Sequence, residues 1–196
     1  MARIFSLFFV LSFFANARAQ SNYQDSLKTY ISNYIATHEV VKGEDRSRLQ
    51  FFEVDPAYRV MALFEKKENG QWFEMQTSGP MKKLYRVYGV VHFVINKTPL
   101  QLNIYQAQNL LQSPEYKTYL FLPFTDVTSG KETYHSGRYI DLKMEDIQNN
   151  QVVIDFNKAY NPYCAYVSGR YNCPIPPKEN NLSIAIKAGE KAFKEE

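Results

Sequence analysis

The run Asp155-Phe156-Asn157-Lys158-Ala159-Tyr160-Asn161-Pro162-Tyr163-Cys164-Ala165-Tyr166, followed by Cys173-Pro174-Ile175-Pro176-Pro177-Lys178-Glu179-Asn180, concentrates the groups of this chain that can do chemistry. It holds both cysteines and four of the nine prolines, with carboxylate, amide and phenol groups between them. Each polar group must find a hydrogen-bond partner or stay in water. A segment that only filled a core would not need them. Acid–base work calls for a carboxylate whose surroundings shift its pKa. Asp155 is the best placed because it ends the apolar run Val152-Val153-Ile154, and Glu132, Asp141 and Glu179 stand behind it. The structural alternative is that Asp155 pairs with Arg138 or Lys158, or caps the turn that follows.

Cys164 and Cys173 have eight residues between them, and a disulfide closing a small loop is the first reading for an exported chain. A metal pair and a nucleophilic thiol are the rival readings, although zinc would want a second Cys/His pair and none is present. The three histidines do not cluster. His38 falls near the end of a helical segment and is expected exposed or capping a carbonyl. His92 lies within a strand-like run, and His135 in a glycine-flanked loop. No Gly-x-Ser-x-Gly elbow, glycine-rich phosphate loop or helical metal pair occurs. No cofactor and no metal are expected.

A recognition site is expected where the loop after Asp155 meets Arg138. Counting outward from Gln148-Asn149-Asn150 as a hairpin turn sets Arg138 opposite or diagonal to Asn157 and Asp155. The guanidinium's planar fork suits Asp155 or an anionic group of a ligand. Tyr160, Asn161 and Tyr163 follow on a loop stiffened by Pro162, and Glu179 and Asn180 close the far side. The same cluster also suits a hydrogen-bonded structural plug that satisfies its own polar groups.

The elements that position these groups begin after a leader. A basic start at Arg3, an apolar stretch from Ile4 to Phe14 and the small-x-small triplet Ala17-Arg18-Ala19 read as a signal peptide, residues 1–19. The apolar stretch falls short of the ~20 residues a spanning helix needs, and no cysteine follows it for lipid attachment. Cleavage after Ala19 would leave one β-rich domain, residues 20–196, exported to the periplasm or beyond. Losing Arg3 and Arg18 lowers the formal charge from +3 to +1. With no block of Lys and Arg to track phosphates, nucleic acid is not an expected partner.

Leu27, Tyr30, Ile31, Tyr34 and Ile35 form a helical stripe, which predicts a helix over Ser21 to Val41 ended by Gly43. From Leu49 the apolar period becomes two. Strands are predicted at 59–64, 72–75, 84–95, 100–104, 119–124, 138–143 and 151–157. In the longest, Tyr85, Val87, Val91, Phe93 and Ile95 form one apolar face, with a bulge or bend at Gly89, while the opposite face, with His92 on it, lines a cavity or lies under a loop. Ala188 to Glu196 reads as a short polar helix. The fold class is mainly β (α+β): a curved antiparallel sheet, barrel- or sandwich-like, with an N-terminal and a short C-terminal helix.

Four stretches also carry a family resemblance: Phe51 to Val60, Tyr119 through Tyr134 to Tyr139, Asp155 to Ala165, and Cys173 to Glu190. They resemble the bacterial and archaeal family called domain of unknown function 1684, over nearly all of the chain beyond the first helix. The resemblance implies no particular activity. Where that family tends to have glycines before its Arg-Tyr pair, this chain has His135-Ser136, which removes His135 from any shared chemistry.

The expected function is therefore a small-ligand-binding domain of the cell envelope, since fifteen tyrosines supply apolar area with polar tips. A small-molecule ligand is its expected partner. A hydrolase using Asp155 or a free Cys164, and an envelope assembly protein with an exposed apolar patch, are the alternatives.

Overall fold

A computed structural model of the protein describes residues 22–193. The predicted signal peptide lies outside the described residues. Helix α1 spans 22–37, four residues short of the predicted end. His38 explains the early stop. It is buried at 4 % exposure, extends the apolar stripe by one turn from Tyr34, and accepts the Val41 N–H on Nδ1 at 2.9 Å. A side chain thus takes over a backbone donor at the helix end. The expected exposed or carbonyl-capping histidine is a buried acceptor instead.

Seven strands follow: β1 Arg59–Lys66, β2 Phe73–Met75, β3 Lys83–Ile95, β4 Thr98–Ala107, β5 Tyr119–Phe124, β6 Arg138–Lys143 and β7 Gln151–Asp155. They make one antiparallel sheet ordered β6-β5-β4-β3-β1-β7, with β2 on β3. Short alternating runs of β-branched and aromatic residues, broken by turn residues, account for the strands. Asn96-Lys97 and Asn149-Asn150 all take positive φ, between 50° and 65°, as tight primed turns require.

The Asn149-Asn150 turn does not make the predicted hairpin. β6 pairs with β5, β7 pairs with β1, and the two are opposite edges of the sheet. The sheet curls until these edges approach. Tyr139 of β6 and Tyr160, beyond β7, exchange both backbone hydrogen bonds at 2.9 and 3.0 Å. The result is a half-barrel with a slot between β6 and β7.

β3 corrects a second expectation. Its register against β4 shifts between Val87 and Gly89, so Tyr88 is an extra residue and the side-chain parity changes there. Beyond the bulge, Val91, Phe93 and Ile95 pack into the main core with Leu102, Leu122 and Ile154. Before it, Tyr85 and Val87 pack on the opposite face with Met75, Tyr105, Phe121 and Tyr139. The single apolar face read from the sequence is thus two half-faces on two sides of the sheet. The outer positions His92 and Val94 are exposed and line an open cleft with Leu63, Pro99 and Gln101.

The last described residues are not helical, although a helix was predicted from Ala188. Phe52 donates to Gly189 O at 2.9 Å, Glu190 to Ala159 O at 2.8 Å and Lys191 to Gln50 O at 2.8 Å. Gly189 has φ +78°, and a Cβ there would sit 2.6 Å from Ala159 O. Leu182, Ile186 and Ala188 are consumed by the main core. Tertiary burial overrides the helix propensity of this Ala- and Lys-rich segment.

Gly89 tests the bulge. A Cβ at this position would meet Phe64 Cε2 at 2.2 Å and Glu65 O at 2.8 Å. Gly89→Ala is expected to lower stability by about 1–3 kcal/mol, read as a drop in the urea midpoint. An unchanged midpoint would mean that β1 and β3 are not this close.

Candidate functional site

The face of the sheet that carries Tyr85, Tyr105, Phe121 and Tyr139 is not closed by a second layer of strands. α1 and the loop after β7 partly cover it, and three clefts remain. The slot between β6 and β7 has a volume of ≈ 760 Å³, with Ile140 and Val152 in its floor and Arg59, Asp141, Asp155 and Lys158 on its rim. A second cleft of ≈ 580 Å³ runs between α1 and the disulfide loop, past Tyr30, Tyr34, Tyr163 and Tyr171. A third of ≈ 390 Å³ lies over Tyr85, Tyr119 and Phe121. Tyr160 lines all three, and Asp141 the first two. Together they form one tyrosine-walled groove centred on that pair.

Asp141 sits mid-strand on edge strand β6 and is exposed. Its Oδ1 accepts the Tyr119 and Tyr160 hydroxyls, both at 2.7 Å. Among the described residues nothing donates to its Oδ2. Burial, aided by the Asp141 charge, pushes both phenols well above their ordinary pKa, with burial the larger cause for each. They remain neutral donors and hold the carboxylate in one orientation.

Of the predicted recognition-site residues and the two cysteines, Asp155, Tyr160, Tyr163 and Cys173 line these clefts, and the others do not. Arg138 is 1 % exposed and does not meet Asp155. Its Nη2 donates to Asp126 Oδ2 and to Ile186 O, each at 2.9 Å, and its Nη1 donates to Ala188 O and Glu190 O. The expected Arg138–Asp155 contact rested on a β6–β7 hairpin that does not form. Asp155 takes the Tyr23 hydroxyl across both oxygens at 2.9 and 3.0 Å, and Oδ1 also accepts the Asn157 amide and side chain at 3.1 Å. Asn157 in turn exchanges bonds with the Asp55 backbone at 3.0 and 2.9 Å. This knot ties α1 to the end of β7.

Asn161 is fully buried; its amide donates to Glu190 Oε2 and its side chain to Lys191 O. The Tyr163 hydroxyl donates to Glu39 at 2.7 Å, and burial and that contact raise its pKa to about 12. Asn180 bridges β4 and β5, accepting from Asn103 N and donating to Asn103 O and Pro123 O. Glu179 is exposed on the same turn. Cys164 and Cys173 are bridged, with Cα atoms 6.3 Å apart. No three His, Cys, Asp or Glu side chains gather around a common point among the described residues.

The main residue that the sequence concealed is Glu190, 1 % exposed. It accepts the Tyr166 hydroxyl at 2.6 Å, the Tyr34 hydroxyl at 3.1 Å and the Asn161 amide at 2.8 Å. It therefore anchors α1. Burial pushes its carboxyl up to about 7, against the lowering effect of those donors. Its placement in a non-helical run could have been inferred only by denying the helix that its neighbours' composition favours. Its titration predicts a pH dependence. The folded pKa lies above the unfolded one, so the stabilisation is complete below about 4.5 and fades as pH rises through about 7. Relative to Glu190→Gln, the wild-type protein should lose on the order of 2 kcal/mol between pH 5 and pH 8, measured by urea unfolding. Parallel profiles would show that Glu190 is already ionised at pH 5.

A family model described as a protein of unknown function, DUF1684, matches residues 45–191, so the matched span begins after α1. No curated protein matches the chain. The solution NMR structure of the uncharacterized protein from gene locus rrnAC0354 of Haloarcula marismortui is similar: 28% identity, TM-score 0.66, with 89% of this chain and 96% of that chain covered. The match over residues 45–191 takes in all seven strands and the run that ends at Glu190, and the chain belongs to the DUF1684 family.

Proposed function

We propose that this protein is an exported, small-ligand-binding domain of the cell envelope, and that the tyrosine-walled groove around Asp141 and Tyr160 is its binding site. The observation that carries the reading is Asp141. Two phenols fix one oxygen of an exposed carboxylate at 2.7 Å, and among the described residues the other oxygen has no donor and faces a groove. A pre-oriented acceptor between aromatic walls is what a small polar ligand needs, because little ordering remains to be done on binding. The Cys164–Cys173 bridge supports export, since such bridges persist in oxidising compartments. Among the described residues no helix is long and apolar enough to cross a membrane.

The hydrolase alternative has little to draw on. Cys164 carries no free thiol, and both oxygens of Asp155 already accept hydrogen bonds. The assembly alternative would draw on Met61, Leu63 and Val94, about 60 % exposed on the outer face. Three apolar side chains are an ordinary surface.

Native mass spectrometry of protein purified from the envelope is expected to show a bound small molecule. Asp141→Asn should retain it about tenfold less well, while its thermal midpoint stays within a few degrees of wild type. Equal retention by the variant would remove Asp141 from the site, and a wild-type mass with no adduct would count against the groove itself.

A further inference from the structure

The groove's far end, over β3, differs from the Asp141 end in its charge and in its unmet hydrogen bonds. Lys83 and Tyr85 are two residues apart on β3, so their side chains leave the same face of the strand. Opposite them on β2 are Met75 and Phe73, which wall that face with apolar surface. Lys83 is half-buried, lines both the second and third clefts, and has no hydrogen bond or ion pair among the described residues. Its neighbour Lys82, directed to the other face, is paired with Glu74 at 2.6 Å. Of the charged side chains in the described residues, Lys83 alone lines the third cleft.

Tyr85 shows the same deficit. It is 6 % exposed and lines the third cleft, yet its hydroxyl has no partner among the described residues. The neighbouring phenols are all used: Tyr119 and Tyr160 on Asp141, and Tyr139 on Pro174 O. The Tyr85 ring is buried but its hydroxyl still reaches solvent in the cleft, so an anion entering there takes the place of water on that donor. Burial alone accounts for the lowered Lys83 pKa and for the Tyr85 phenol standing at about 12. Both residues line the third cleft, where each can donate to a bound acceptor.

We infer that Lys83 and Tyr85 form an anion subsite, so that the groove's ligand carries an acidic group, carboxylate or phosphate, at the β3 end and its body along the tyrosines toward Asp141. The inference rests on the groove being a binding site. An anion accepts from both donors at once, and the apolar wall strengthens each bond by excluding water. Asp141, an acceptor at the far end, suits a hydroxyl or amide donor on the same molecule. An acyl chain and a sugar ring are both compatible as the body.

The probes are octanoate and glucuronate, inorganic phosphate as an acid without a body, and octanol and glucose as uncharged counterparts. Each is titrated into the full folded protein and followed by NMR shifts of the groove residues. At least one acid should bind about tenfold more tightly than its uncharged counterpart. Lys83→Met should erase that preference, Lys83→Arg should keep it, and Tyr85→Phe should weaken it. Octanoate ahead of glucuronate assigns an acyl body, the reverse order a sugar, and phosphate alone a free-anion site. Wild-type protein that binds no acid, or a preference that survives Lys83→Met, overturns the subsite. Retention of the co-purifying molecule and its loss in Asp141→Asn are unaffected by that result, so a failed subsite and a failed groove are distinguishable.

Discussion

The guanidinium of Arg138 sets the condition that much of this structure meets. A cation at 1 % exposure is costly unless its donors find acceptors. Asp126 and the carbonyls of Ile186, Ala188 and Glu190 take the bonds of Nη1 and Nη2, while Nε is left without a partner among the described residues. Three carbonyls at alternate positions converge on one side chain because the run is non-helical and bends around it, with Gly189 at φ +78°. The C-terminal run is therefore held as a strap across the core, and Asp126 is itself locked by Thr128 and the Ile186 amide.

That strap delivers Glu190 to a position where Tyr34 and Tyr166 reach it. α1 is docked there at one end and at the Tyr23–Asp155–Asn157 knot at the other. Between the two anchors, Tyr30 lies over the junction of the clefts. The groove thus has a floor made by the sheet's second aromatic face, one wall made by α1 and another by the disulfide loop. The bulge at Tyr88 has a matching role, since it turns Tyr85 and Lys83 away from the core and into this groove.

What was legible in the sequence was local. The strands at 119–124 and 138–143 are legible because a short apolar run and flanking turn residues are short-range signals. The bulge at Gly89 was visible as a glycine inside a strand pattern, but its effect on facing was not, because parity depends on which partner strand keeps register. The β6–β7 hairpin failed for a related reason. A two-asparagine turn predicts reversal of the chain, but strand order is decided by long-range pairing of β7 with β1. Arg138 and Asp155 stand out in the sequence as polar groups beside apolar runs, but only a β6–β7 hairpin would join them, and the two strands lie on opposite edges of the sheet. Asp141 stood behind Asp155 because an acid at an alternating strand position looks like an ordinary solvent-facing residue. Only the curl, which brings Tyr119 and Tyr160 to it, distinguishes it.

The most direct test of this account is a crystal structure of the protein purified from its own envelope without a step that strips small molecules. The account predicts density for a ligand in the groove, with a donor within about 3 Å of Asp141 Oδ2 and the two phenols still on Oδ1. A groove holding only solvent, with Asp141 Oδ2 turned onto a protein donor, would contradict it.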